Sequence, residues 1–98
     1  MLHIINKSSL EKNCLDTCLA VAKEGGALLL IEDAVYAATA GHASAAKLEQ
    51  AQGRLKLYVL QPDLDSRGMG DRLIAGVTPV DYAGFVDLAA EHTCQSWL

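Results

Sequence analysis

A chain of 98 residues, 51% of them hydrophobic, has the length of one small domain, residues 1–98, and leaves no room for a second. Its 12 acidic residues outnumber its 8 Lys and Arg, a formal charge of −4, and no basic cluster supplies the footprint that direct nucleic-acid binding needs. The longest apolar run, residues 27–31, is far too short to span a bilayer and the first residues carry no secretion signature, so a cytoplasmic protein without membrane contact is expected.

Residues 2–6 form a short isoleucine-bearing run, read as the first strand. Ser8 and Glu11 have the spacing of a capping box for a helix that runs to about residue 23. On that helix Leu10, Cys14, Cys18 and Val21 fall on one face, with Leu15, Leu19 and Ala22 beside them, and Gly25-Gly26 ends it. Residues 27–31 are continuously apolar, which suits a strand covered on both faces in a parallel sheet. Asp33 is placed to cap a short helix over residues 34–40, and residues 43–52 read as a second, alanine-rich helix that is loosely held. Residues 54–60 are the third strand, Arg54 and Lys56 marking its wetter beginning. Pro62-Asp63 starts a brief helix ending near Gly68, with Asp63 as its cap, and residues 69–76 form a loop. Residues 77–80 are a fourth strand, in which Pro79 limits pairing. Asp81 caps a last helix to about residue 91, with Val86, Leu88 and Ala89 available to the core, and residues 94–98 form a terminal strand.

Strands alternating with helical segments predict an α/β fold with parallel pairing and helices on both faces. The mean hydropathy of +0.18 leaves more apolar surface than one small core hides, so association with other subunits is expected. Trp97, with little chain around it to bury it, and residues 80–88 are the expected contact regions.

Cys14 and Cys18 lie one turn apart on the first helix and share a face, the arrangement of a redox pair or persulfide carrier. The plainer reading, two small core hydrophobes on the Leu10–Val21 stripe, is preferred on the residues themselves. His92 and Cys94, two apart on an extended segment, point to one side as a thiol-activating pair would, but no third group orients the histidine. No CxxC or HxxxH spacing gathers His3, His42, His92 and the cysteines into a metal site, and neither GxGxxG nor GxxxxGK[ST] is present to cradle a phosphate, so no metal and no cofactor are expected. Asp33 and Asp63 stand beyond strand ends, where ligands of open α/β sheets bind, though the helix-cap reading is preferred for each, as it is for Asp81.

Several of these segments together resemble the DsrH/TusB family. They are Leu2-His3 with Asn6-Lys7-Ser8, then Leu28 through Asp33 followed by Val35-Tyr36-Ala37-Ala38, then Lys56 through Leu60 with Pro62-Asp63-Leu64 and Arg67-Gly68, then Val80 through Val86, and finally Gln95-Ser96-Trp97-Leu98. Each is weak alone; their order within so short a chain is specific. The resemblance implies a three-layer α/β/α fold around a central, mainly parallel five-stranded sheet, as in DsrE-like proteins. It implies a heterohexamer with DsrE/TusD-like and DsrF/TusC-like subunits, which passes persulfide sulfur to a DsrC/TusE-like acceptor. That relay serves sulfur oxidation in one branch and 2-thiolation of the tRNA wobble uridine in the other. In such a complex this subunit is mainly structural, neither clearly catalytic nor clearly inert. Cys18 occupies the first-helix place where DsrH-like members carry a secondary sulfur-carrying thiol, which tilts the reading towards the DsrH branch. No family role transfers to Cys14 or Cys94. Two other readings stand beside this one: an independent thiol enzyme using Cys18 or the Cys14/Cys18 pair, and a small-molecule-binding module near Asp33 and Asp63.

Overall fold

The computed structural model describes residues 1–8 and 14–97. The five strands are β1 (Leu2–Ile5), β2 (Ala27–Leu30), β3 (Lys56–Leu60), β4 (Val77–Val80) and β5 (Cys94–Trp97). They form one sheet in the order β4-β3-β2-β1-β5, every pair parallel. The helices are α1 (Cys14–Val21), α2 (Ala45–Ala51), α3 (Gln61–Ser66) and α4 (Tyr82–Glu91), with 3-10 segments at Glu32–Ala38 and Gly70–Arg72. The Ser8–Glu11 capping box lies partly outside the described residues.

Connectivity decides which face each helix covers. From β1 to β4 every step moves one strand along the sheet in the same direction. Right-handed crossovers that step one way lay their helices on one face. On that face Leu15 and Cys18 of α1, Leu48 of α2 and Leu64 of α3 pack with Ile5, Leu28, Leu30, Leu57 and Val59 of the strands. The last connection reverses, from β4 past the whole sheet to β5 beside β1, so α4 falls on the opposite face. There Leu88 packs with Leu2, Ala27 and Leu29. The result is the three-layer arrangement around a five-stranded parallel sheet, with very unequal outer layers.

The local reasons for the elements are mostly as the residues suggest. The Asp81 carboxylate accepts from the Gly84 N–H at 2.8 Å and caps α4. Pro79 sits on β4, an edge strand, where its missing N–H does least harm. Four expectations need correction. Asp33 caps nothing: it lies inside the Glu32–Ala38 segment, whose cap position is Ile31, and it accepts from Nε and Nη2 of Arg67 at 3.1 and 3.0 Å. Asp63 does not cap its own helix; it accepts the Glu32 N–H at 2.7 Å, 31 positions away. Glu32 holds φ +50, a left-handed conformation that costs a non-glycine residue about 1–2 kcal/mol. The charge-assisted bond from Asp63 offsets that cost. Helix α2 is not loosely held, because Ala45, Leu48 and Ala51 are all buried. On α4 it is Phe85, with Leu88, that turns inward, while Val86 is 65% exposed. Positions 85 and 88 are three apart and share a face; Val86 instead lies with Tyr82, four residues earlier, on the outer face.

Arg54, expected only as a wet strand beginning, has a structural task. Its guanidinium donates from Nη1 to the Ala22 carbonyl at 3.0 Å and from Nη2 to the Leu19 carbonyl. These are orphan acceptors at the carboxyl end of α1, and a cation there also meets the negative end of the helix dipole.

Candidate functional site

The three cysteines are free and differently placed. Cys18 has 0% exposure and sits in the core beneath α1. Burial pushes its thiol up to about 11, more than the Arg54 guanidinium pulls it down, and the neighbouring Cys14 adds to the rise. A thiol so held is almost wholly protonated at neutral pH and closed to solvent. Cys14 is half-buried and packs at the margin of the same core. Val21, expected on the same buried stripe, is exposed, because it ends α1 where no further element covers it. Cys94 is exposed on β5; its sulfur lies 3.8 Å from the carbonyl oxygens of Ala89 and His92, long contacts to backbone and not to the His92 ring.

At the carboxyl ends of the strands the charged groups are mutually engaged. Besides the Asp63–Glu32 and Asp33–Arg67 contacts, Arg67 Nη1 donates to the Asp63 carbonyl at 3.1 Å, and Asn6 Nδ2 reaches Glu32 Oε2 at 3.5 Å. Both aspartates suspected of receiving a ligand thus spend their carboxylates on the fold. Among the described residues no group of three or more His, Cys, Asp or Glu is arranged to hold a metal ion.

Trp97 is half-buried against its own chain. Its indole Nε1–H donates to Nδ1 of His3 at 3.1 Å, joining the first strand to the last. His3 is itself buried, and burial lowers its imidazole below the usual range. The unfolded chain therefore takes up more protons below the ordinary histidine value of about 6.5. Stability from the neutral pair is fully present above that value and is lost as pH falls towards the lowered folded value. The positively charged amino terminus lowers that value further. Urea unfolding at about pH 7.5 and about pH 5.5 should show a loss of stability at the lower pH that is smaller in His3→Gln; an identical loss in the variant would assign the effect to other groups.

The broadest unusual feature is the face behind α4. One helix of 10 residues covers it among the described residues, against α1, α2 and α3 on the other side. Ile4, Ile31, Tyr58, Val80 and Phe85 are consequently half-buried, and Tyr82 and Val86 are 61% and 65% exposed. Residues 80–88 are an expected contact region; the thin cover over the strands beneath is not expected, because a continuously apolar strand implies full cover on both sides.

The sequence pattern of the family described as DsrH like protein matches residues 7–95. The chain belongs to the DsrH-like family. Its DsrH/TusB relatives include Protein TusB of Pectobacterium parmentieri, 40% identical over 95 residues that cover 97% of each chain. Protein TusB of Escherichia coli O1:K1 / APEC is 35% identical over the same share of both chains, and that of Pectobacterium atrosepticum 36%. Among solved structures, the YchN protein from E. coli superimposes with a TM-score of 0.76 at 20% identity, covering 98% of this chain and 97% of that one. MTH1491 from Methanobacterium thermoautotrophicum gives 0.69 at 15%, covering 98% and 96%. These two establish the fold. DsrH/TusB membership gives the chain a subunit role related to sulfur relay, and no helix among its described residues is long and apolar enough to cross a membrane.

Proposed function

We propose that this chain is the DsrH/TusB-type subunit of a cytoplasmic heteromeric sulfurtransferase, assembled with DsrE/TusD-like and DsrF/TusC-like subunits in a heterohexamer. The complex hands persulfide sulfur to a DsrC/TusE-like acceptor. The relatives bearing the TusB name weigh for 2-thiolation of the tRNA wobble uridine as its destination, against the tilt towards sulfur oxidation that Cys18 gave. Beyond family membership, the observation that carries the subunit reading is the thinly covered face of α4 and the sheet, with Tyr82 and Val86 outermost. Large aromatic and aliphatic side chains in a contiguous exposed patch mark protein contacts. Co-expression with the two partner subunits should yield a stable heteromer by size-exclusion chromatography with light scattering. A monomer that stays alone in the presence of both partners would overturn the assignment.

In the relay itself a thiolate attacks the outer sulfur of a donor persulfide; the S–S bond breaks, the donor leaves as thiolate, and the acceptor now carries the persulfide. Cys18 can serve as a secondary carrier only where α1 moves to expose it, since its thiol is buried and protonated in the folded chain. Iodoacetamide should therefore modify Cys94 in the native protein and leave Cys18 untouched, with Cys18 reacting only after denaturant, as read by peptide mass spectrometry. Native labelling of Cys18 at the rate of Cys94 would overturn its burial and leave it accessible for sulfur transfer in the isolated chain.

A further inference from the structure

The crossovers from β1 to β4 all step away from β5, so among the described residues no helix lies over the side of β5 that faces α1. That omission opens a cleft of about 630 Å³ where β1 and β2 begin, between the last residue of α1 and the inner side of β5. Val21 and the Trp97 ring give it apolar walls, Lys23 and Glu24 place one charge of each sign, and Gln95 adds an amide. Its size falls within the range of about 300–1,000 Å³ usual for small-molecule sites.

His3, which also lines the cleft, is 6% exposed. An indole nitrogen only donates, so the Nδ1 that receives the Trp97 Nε1–H carries no hydrogen and the proton of the neutral ring sits on Nε2. No described residue accepts a hydrogen bond from that Nε2–H. His3 Nε2 is not sealed from solvent, so water or a ligand oxygen in the cleft can take its hydrogen. Gln95 and Lys23 add donors, so the oxygen group favoured is a carboxylate. Glu24 repels a bare anion and attracts an ammonium. The apolar walls require a hydrocarbon or aromatic body between the two.

We propose that this cleft binds a small zwitterion of the free α-amino acid class. Its carboxylate takes the His3, Gln95 and Lys23 donors, its ammonium meets Glu24, and its side chain lies on Trp97 and Val21. The site lies at the amino ends of the strands, away from both the carboxyl-end network and the α4 face.

The chain has 1 tryptophan, so its fluorescence reports Trp97 and the cleft directly. L-Phenylalanine titrated into the full chain should change that emission saturably and shift the His3 ring nitrogen signals in NMR. Phenethylamine, which lacks the carboxylate, and 3-phenylpropionate, which lacks the ammonium, should each bind about tenfold or more weakly. Lys23→Ala and Gln95→Ala, at exposed positions that leave the fold intact, should each weaken phenylalanine binding by about tenfold, and His3→Gln should remove it, with circular dichroism to confirm folding. The proposal fails if phenylalanine gives no saturable response. It fails equally if all three probes respond alike, which marks an apolar crevice only, or if Lys23→Ala and Gln95→Ala bind as the natural chain does.

Discussion

Val86→Asp leaves the isolated chain folded and separates it from its partner subunits. Val86 is 65% exposed and Tyr82, one turn before it, 61%, so neither contributes much to the core behind α4. Substitutions at such positions usually change stability by no more than about 0.5 kcal/mol, and valine and aspartate differ little in helix propensity. In the proposed complex the α4 face is the contact, so the substitution would place a desolvated carboxylate without a partner there. A central interface residue is worth about 2 kcal/mol or more, which is about thirtyfold or more in Kd. The measurement is co-purification followed by calorimetric titration of partners, with thermal unfolding of the lone variant alongside. Asp87→Ala, also exposed on α4 and adjacent to Val86, is the control that should leave assembly unchanged. Unimpaired assembly of Val86→Asp would place the contact on another face.

Leu48→Ala strips α2 from the sheet and lowers stability by about 2–5 kcal/mol, a large part of the 5–15 kcal/mol typical of a whole domain. Leu48 has 0% exposure and packs in the larger core cluster. A helix of 7 residues does not persist in water on its own propensity, and the Ser44 side chain makes no capping bond to it, so apolar burial is what holds it. Denaturant titration followed by circular dichroism should show a lower midpoint with little change of slope. A loss below about 0.5 kcal/mol would mean that α2 is held by some other contact.

The strand and helix pattern was readable because each element is short and its apolar residues follow the period of that element. The sheet class was readable from Leu28 to Leu30, whose unbroken run leaves no polar side for an antiparallel strand. What escaped depends on partners far along the chain. Asp63 looks like a cap for its own helix and instead steadies Glu32, and Asp33 looks like a cap and is held by Arg67. On α4, Val86 and Phe85 are adjacent and both apolar, and only the packed sheet decides which turns inward. The His3–Trp97 bond, spanning 94 positions, leaves no local trace, and neither does the cleft beside it. Cys18 was legible as a small core residue from its helical stripe; a sulfur-carrying role rested on family resemblance throughout.

The reversal between β4 and β5 has a consequence for synthesis on the ribosome. The first four strands can be laid down in order, each adding to the free margin left by the one before. The fifth must return to the opposite margin and register against Leu2–Ile5, the earliest of the five strands to emerge. Until β5 is translated β1 remains open along that side, and the nascent chain carries an unpaired edge while the intervening strands are made.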